Sequence, residues 1–172
     1  MNDKDSIRKK LLSQRESMDN NVVESKSRFI CNKIIKDGLL EDCQTIMIYM
    51  NFRNEVDTSY IFTELNKQGK TVVAGKCIKK TREIIPVIVK DYSDFEKCNY
   101  GILEPIVLED RIININDIDA VIVPGIGFDR QRDRIGFGAG YYDRFLAKLR
   151  EKSIAIGICY QEQLLDKIPT DK

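Results

Sequence analysis

The chain has 172 residues, of which 42% are hydrophobic, and this length and composition suit a single compact domain with one sizeable core. Its 28 basic and 27 acidic residues leave a formal net charge of +1, so the chain as a whole has no electrostatic bias toward nucleic acid or an anionic membrane. Histidine is absent, which excludes Ser-His-Asp and Cys-His catalysis and histidine-ligated metal sites.

The predicted elements begin with two helices. Ile7, Leu11 and Leu12 lie at helical spacing within residues 3–18, and a second helix is predicted over 20–36, before Gly38. Strands then alternate with helices predicted over 58–68 and 141–150. The predicted strands are TIMIYM (45–50), TVVAGKC (71–77), EIIPVIV (83–89), DAVIVP (119–124) and SIAIGICY (153–160).

This alternation predicts an α/β fold. Runs such as AVIV and IAIGI are too continuously apolar for a one-sided sheet, so we expect a mostly parallel sheet covered by helices on both faces. Pro86 lies inside its strand and therefore predicts an edge position. Since no repeat or flexible linker interrupts the pattern, one domain over residues 1–172 is expected.

The location of the protein follows from what the sequence lacks. No apolar run approaches the roughly 20 residues needed to span a bilayer, and the polar start MNDKDSIRKK lacks the apolar core of a signal peptide. The five cysteines are odd in number, widely spaced and never in a C-x-x-C pair, which indicates reduced thiols. We therefore expect a cytoplasmic protein.

Glycines cluster toward the end of the chain. Residues 123–146 hold five of the ten, and Gly136, Gly138 and Gly140 alternate just before a predicted helix. Alternating glycines let the backbone approach a bulky anion, and the N-terminus of the next helix favours the same negative charge, so this glycine loop (residues 136–140) predicts a phosphate cradle. Tyr141 and Tyr142 after it offer ring faces or hydroxyls, and Asp143 offers a hard oxygen for magnesium.

A second group of polar residues follows the first strand. Glu55 and Asp57 lie at its carboxyl end, where ligands gather in parallel sheets. A carboxylate beside a basic glycine loop suggests a ligand with a phosphate end and an amino or amide end. The alternative is that Glu55 only opposes the dipole of the helix that follows it.

These motifs resemble the signature of the 5-formyltetrahydrofolate cyclo-ligase family, also called methenyltetrahydrofolate synthetases. The resemblance covers nearly the whole chain. The segments that carry it are 124–129 (PGIGFD), 134–136 (RIG), 138–144 (GAGYYDR), the Lys4-x-x-x-Arg8 pattern, 55–58 (EVDT), 100–105 (YGILEP) and 156–169.

The resemblance implies a three-layer α/β/α sandwich of the kind shared with certain sugar-phosphate isomerases and CoA transferases. It also implies ATP- and magnesium-dependent cyclisation of 5-formyltetrahydrofolate to 5,10-methenyltetrahydrofolate, with release of ADP and phosphate. In that reaction the formyl oxygen attacks the γ-phosphate, and the other folate nitrogen then closes the ring. Such phosphoryl transfer depends mainly on positioning and charge cancellation, which need no histidine.

The resemblance also assigns site residues. Asp143 would bind magnesium, and Arg134 and Tyr141 would act in catalysis. The implied ATP contacts are Lys4, Asp5, Ser6, Ile7, Arg8, Arg134, Ile135, Gly136, Phe137, Gly138, Ala139, Gly140, Tyr141 and Tyr142. The implied folate contacts are Met50, Glu55, Phe137, Gly138, Ala139, Gly140 and Tyr141.

Several of these residues have a purely structural alternative. Lys4 and Arg8, at i and i+4, also fit a solvated helix face, and Arg130 and Arg132 are expected to be solvated loop charges. Tyr142 also fits a core position. Asp143 could merely cap the helix or oppose its dipole.

Other classes of protein remain open. A non-catalytic regulatory protein that binds folate and ATP would keep Glu55 and the glycine loop. A nucleic-acid-binding module would use Arg130, Arg132 and Arg134, but the interleaved aspartates and near-zero net charge argue against a long basic track. A sugar-phosphate isomerase is a weaker option, since those enzymes lack the glycine-tyrosine signature. We expect ATP and 5-formyltetrahydrofolate as partners, and no nucleic acid, membrane or obligate protein partner.

The chain departs from the family pattern in three places. It carries Arg132 where the family usually has a small residue or glycine, and 74–76 (AGK) where proline is often found. It also ends at 169–172 (PTDK), whereas relatives continue with an aspartate that assists the metal and with a final strand. The sequence is therefore expected to be truncated relative to the family.

Overall fold

Two helices precede the sheet in the computed structural model, which describes residues 3–169. They are α1 (Asp3–Glu16) and α2 (Asn20–Lys36), close to the predicted bounds. Asp19 ends the short connection between them and caps α2, because its carboxylate accepts a hydrogen bond from the backbone N–H of Asn21 at 2.8 Å.

Ten strands and two further helices follow in the described residues. The helices are α3 (Ser59–Lys67) and α4 (Tyr141–Leu146). The strands are β1 (Thr45–Ile48), β2 (Thr71–Ile78), β3 (Glu83–Val89), β4 (Phe95–Lys97), β5 (Leu103–Pro105), β6 (Ala120–Val123), β7 (Gly127–Asp129), β8 (Arg134–Ile135), β9 (Ile154–Gly157) and β10 (Leu164–Leu165).

Five of these strands form a central sheet in the order β3-β2-β1-β6-β9. The pairs β1–β2, β1–β6 and β6–β9 are parallel, and only β2–β3 is antiparallel, so the prediction of a mostly parallel sheet is confirmed. Pro86 lies in the edge strand β3, as its missing N–H predicted. The other strands form a β4–β5 hairpin and a small β10-β7-β8 sheet.

Side chains on the two faces of the central sheet alternate along each strand. Ile46 and Ile48 pack with α2 and α3 on one face, whereas Met47 packs with Phe145 of α4 on the other. This period of two gives two core layers and confirms the α/β/α arrangement. A third apolar cluster, which includes Leu11 of α1 and Ile126, lies beneath the first helix.

Two sequence expectations about these elements are wrong. The helix predicted over 141–150 ends at Leu146, because Lys148 and Leu149 donate to carbonyls three residues back and so tighten the chain into turns. The strand β9, expected to be covered on both faces, exposes three of its four residues, since it is the outer strand beside β6.

The loop between β7 and β8 explains one departure from the family pattern. Arg132 there has φ of +72°, a left-handed conformation that glycine adopts without strain. The buried carboxylate of Asp129 stabilises this loop by accepting backbone hydrogen bonds from Gln131 and Asp133, both at 2.9 Å. Arg130 and Arg132 are both exposed, as expected of solvated loop charges.

All five cysteines are free thiols, as predicted. Burial raises the pKa of Cys31, Cys77 and Cys159 to about 11 in each case. Among residues 3–169, no helix combines the length and apolarity needed to cross a membrane.

Candidate active site

A cleft of about 880 Å³ lies at the carboxyl ends of β1, β2 and β6. This is where a parallel sheet places its ligands, and the volume suits a small-molecule site. One part of its lining is the glycine loop with the first turns of α1, and another part, the β4–β5 wall, is the hairpin of those two strands. Predicted residues that line the cleft are Lys4, Asp5, Arg8, Met50, Glu55, Arg134, Ile135, Gly136, Phe137, Gly138, Ala139, Gly140, Tyr141, Tyr142 and Asp143.

Two residues predicted to contact ATP do not line this cleft. Ser6 is exposed on α1, and Ile7 packs into the apolar cluster beneath that helix. Lys4, Asp5 and Arg8, on the same helix, do border the cleft. The spacing of four residues between Lys4 and Arg8 therefore directs both basic side chains to one side.

Two positions of the glycine loop have backbone angles that glycine favours. Gly138 has φ of +101°, and Gly140, at the N-cap of α4, has φ of +73°. L-residues with a side chain rarely adopt such angles. The Nε of Arg8 donates to the carbonyl of Gly136 at 2.9 Å, so that the loop is tied to α1.

Arg134 and Asp143 form an ion pair at the edge of the loop. The Arg134 side chain is 13% exposed and also donates to the carbonyl of Pro124 at 3.2 Å, whereas Asp143 is 72% exposed. Asp143 is thus a counter-ion of Arg134 as well as a first-turn residue of α4. Among the described residues, no group of three or more metal-ligating side chains occurs.

The two tyrosines after the loop have mixed surroundings. Tyr142 packs against both core layers, lines the cleft, and has its ring centroid 5.9 Å from the guanidinium carbon of Arg134. Burial raises the pKa of its hydroxyl above the ordinary value, so this group stays protonated at neutral pH. Tyr141 is half-buried against the α4 side of the core. The core alternative and the site prediction for Tyr142 are therefore compatible.

Glu55 is a buried carboxylate, with 6% of its surface exposed. Its Oε2 accepts a hydrogen bond from the backbone N–H of Phe52 at 3.0 Å, and its Oε1 lies 3.8 Å from Nη1 of Arg15. Burial raises the pKa of Glu55 to about 7, although the nearby Arg15 lowers it. The N-terminus of α3 is instead served by Asp57, which accepts from the N–H of Ser59 at 2.9 Å.

Arg15 is the residue near the site that sequence reasoning missed. It is 2% exposed, its Nε donates to the carbonyl of Arg53 at 2.9 Å, and its Nη1 donates to the carbonyl of Gly125 at 3.3 Å. The available signal was its spacing, since Arg15 lies four residues after Leu11 on the apolar face of α1. A basic residue on such a face is unusual enough to indicate a buried partner.

The β4–β5 wall was also not assigned a role. Tyr100, 66% exposed, lies in this hairpin, and Nζ of Lys79 is 4.8 Å from its ring centroid. Lys76 bridges Glu96 and Glu104 of the hairpin at 3.1 and 3.0 Å. Charged and aromatic groups of the hairpin therefore also border the cleft.

Comparison with known proteins extends these observations. The 5-formyltetrahydrofolate cyclo-ligase family matches residues 1–172. The chain is 31% identical to the probable 5-formyltetrahydrofolate cyclo-ligase of Schizosaccharomyces pombe, with 98% of this chain and 89% of that protein covered. It is 28% identical to the 5-formyltetrahydrofolate cyclo-ligase of Mycoplasma pneumoniae, with 94% and 87% covered.

Solved structures give the same result for the fold. The NMR structure of Aquifex aeolicus 5,10-methenyltetrahydrofolate synthetase superposes with a TM-score of 0.84 at 28% identity, covering 98% of this chain and 84% of that one. The Mycoplasma pneumoniae 5,10-methenyltetrahydrofolate synthetase superposes with a TM-score of 0.78 at 27% identity, covering 98% and 92%. The chain therefore belongs to the 5-formyltetrahydrofolate cyclo-ligase family, and it is a ligase.

Proposed function

We propose that this ligase uses magnesium-ATP to cyclise 5-formyltetrahydrofolate to 5,10-methenyltetrahydrofolate, with release of ADP and phosphate. The observation that carries the proposal is that one cleft holds both an anion cradle and a buried carboxylate, the glycine loop and Glu55. These two features match a phosphate group and the amino-bearing ring of a pterin, which must meet for the reaction to occur.

The glycine loop would hold the phosphates of ATP. Its backbone can approach an oxyanion closely because Gly138 has no side chain, and its N–H groups then become donors to phosphate. Arg8 and Arg134 border the same space and add positive charge. Arg134 is suited to stabilise the charge that develops on the transferred phosphoryl group, since its planar guanidinium can donate two parallel hydrogen bonds.

Asp143 fits a magnesium ion that also takes oxygens from phosphate. Its exposed carboxylate borders the cleft beside the glycine loop, and magnesium in nucleotide sites is commonly held by one or two carboxylates plus phosphates. When bound there, the ion would neutralise charge on the phosphate oxygens. Arg134, which pairs with Asp143 in the described structure, would then be free to contact the phosphate.

Glu55 would recognise the pterin. A carboxylate can accept paired hydrogen bonds from the amino group and a ring N–H. Because Glu55 is buried, its loss would leave those two donors of the pterin unpaired. Tyr141 and Phe137, which also line the cleft, would contact the bound rings.

The chemistry then requires positioning more than a protein base. The formyl oxygen attacks the γ-phosphorus as the bond to ADP breaks, and the second folate nitrogen attacks the phosphorylated formyl carbon. Phosphate leaves as the ring closes, and the proton of the attacking nitrogen is lost to the departing phosphate or to water. The cleft holds the reacting groups together. Tyr142, whose hydroxyl stays protonated at neutral pH, can donate a hydrogen bond there but is not a base.

The second candidate function is a regulatory protein that binds both ligands without turnover. It is favoured by the surroundings of Asp143, because no group of three or more metal-ligating side chains occurs within residues 3–169. Among those residues, a magnesium site at Asp143 would depend largely on phosphate and water for its other ligands.

One experiment separates the two. The absorbance of methenyltetrahydrofolate is followed after mixing the protein, magnesium-ATP and 5-formyltetrahydrofolate, with ATP omitted or magnesium chelated as controls. We expect product only in the complete mixture. Arg134→Lys should slow product formation, whereas Arg130→Lys, in the exposed loop outside the cleft, should not. Calorimetric binding of both ligands with no product would instead identify the regulatory protein.

A further inference from the structure

Arg15 is a buried cation that contacts three parts of the candidate site. From α1 it reaches the loop that carries Glu55, the carbonyl of Gly125 after β6, and the ring of Phe137 in the glycine loop, whose centroid is 5.7 Å from the guanidinium carbon. Its Nη2 has no hydrogen-bond partner in the described residues. A buried guanidinium that is incompletely paired is destabilising compared with an apolar side chain of similar size, so core packing alone does not explain it.

The loop that carries Glu55 is held against the end of α1. Asn54 donates to the carbonyls of Arg15 and Met18 at 3.2 and 3.1 Å, and Arg53 forms an ion pair with Glu16. Arg53 and Asn54 have φ of +50° and +58°, two successive left-handed residues that persist only when their surroundings hold them. The contacts of α1 therefore fix the backbone that presents Glu55.

We infer that Arg15 is a positioning residue for the folate site. Arg15 holds the carboxylate of Glu55 and joins it to the glycine loop through Phe137. This inference rests on the proposed function. Arg15 does not line the cleft and so acts through Glu55 rather than on the substrate. It would keep the carboxylate charged and oriented toward the pterin.

The other groups around this pair do not replace the charge of Arg15. Tyr49, Tyr142 and Tyr160 face Glu55, and burial raises the pKa of each hydroxyl, so all three are neutral near pH 7. Glu16 is the other acidic group that acts on Arg15, and it pairs with Arg53. Loss of Arg15 should therefore raise the pKa of Glu55 further, because burial would no longer be opposed by a cation.

The test compares Arg15→Met, Arg15→Lys and Glu55→Gln, with Arg28→Met as the control. Arg28→Met removes an exposed arginine of α2 that pairs with Glu24 and does not line the cleft. We expect Arg15→Met to raise the KM for 5-formyltetrahydrofolate about tenfold and to move the acid limb of kcat/KM to higher pH. The KM of Arg15→Met for ATP, and both KM values of Arg28→Met, should change by less than about twofold.

The double variant Arg15→Met/Glu55→Gln isolates the coupling. If Arg15 acts through Glu55, adding Arg15→Met to Glu55→Gln should change the folate KM by less than about twofold. The inference is overturned if the effects of Arg15→Met and Glu55→Gln on the folate KM multiply fully in the double variant. It is also overturned if Arg15→Met raises the KM values for the folate and for ATP equally. Arg15→Lys keeps the charge but not the forked contacts, so its acid limb should stay near the parent pH while its folate KM rises several-fold.

Two further outcomes are distinguished by design. If Arg15→Met does not fold, Arg15→Lys decides, and an unchanged folate KM in that variant overturns the inference. If the parent protein gives no turnover, calorimetric titration with 5-formyltetrahydrofolate replaces kinetics. A parent that does not bind this compound refutes the proposed function, whereas a parent that binds it with the same affinity as Arg15→Met refutes the role of Arg15.

Discussion

Replacing Glu55 with Gln should change the way in which the stability of the protein depends on pH. Burial raises the pKa of Glu55 from its model-compound value of 4.5 to about 7, so the protonated carboxyl suits the folded state better than the charged form. The corresponding stabilisation is complete below pH 4.5 and is lost as the pH rises through about 7. A shift of this size corresponds to about 3 kcal/mol in the free energy of unfolding.

Gln is uncharged at every pH and lacks this dependence. The free energy of unfolding of Glu55→Gln, relative to the parent, should therefore rise by about 3 kcal/mol between pH 4.5 and pH 8. In a chain of 172 residues this corresponds to a relative change of about 6–12 °C in Tm. A constant offset is also expected, because an amide replaces a carboxyl group of similar size in a buried position, but that offset does not vary over this pH range.

Urea unfolding at steps of one pH unit measures the difference directly. Glu162→Gln serves as the control, because Lys26 lowers the pKa of Glu162, and that carboxylate is charged in both folded and unfolded chains from pH 6 to 8. The relative stability of the control should be flat over that interval. In parallel, the acid limb of kcat/KM for the folate should disappear in Glu55→Gln. If the stability difference between Glu55→Gln and the parent is equally flat, the argument that burial raises the pKa of Glu55 is refuted.

Three other substitutions test the loop and its support. Gly138→Ala should weaken magnesium-ATP binding about tenfold in calorimetry. Gly69→Ala, at φ of +69° and remote from the cleft, should cost a similar stability of about 1 kcal/mol without changing ATP affinity. If Gly138→Ala binds magnesium-ATP as tightly as the parent, the loop is excluded from the site. Arg134→Lys should lower kcat about a hundredfold with little change in ATP affinity, and an unchanged kcat would contradict its role in phosphoryl transfer. Gly157→Ala should lower the free energy of unfolding by about 1–3 kcal/mol, because the new Cβ would lie 2.5 Å from the ring of Phe128, and an unchanged urea midpoint would show that the ring moves aside freely.

The fold was predictable where short-range patterns decide it. Continuous apolar runs located the five strands of the central sheet, and Pro86 identified the edge strand, because a missing N–H cannot serve a central ladder. The end of α4 was not predictable, since Leu149 continues the helical spacing of apolar residues although it packs from a turn. The exposure of β9 depends on which elements cover it, and its own residues carry no such information.

The site, like the fold, was predictable only where residues close together in the sequence decide it. The glycine loop was located from its alternating glycines, and Glu55 was located from its place after the first strand, at the sheet edge where ligands gather. Arg15 was not found, because its role depends on the carbonyls of Arg53 and Gly125, which are far away in sequence. The β4–β5 wall was missed for a similar reason, since only the folded chain brings the hairpin to the cleft that the glycine loop lines.

Three of the cysteines can serve as probes of local opening and of ligand binding. With a pKa of about 11, Cys31, Cys77 and Cys159 have about one thiolate per ten thousand molecules at pH 7, so thiol reagents react with them only slowly while the chain stays closed. Cys31 is buried, so its labelling measures local unfolding, whereas Cys77 and Cys159 are partly exposed. Cys77 lines the cleft, and its rate of alkylation, followed by peptide mass mapping, would record ligand occupancy without any engineered probe.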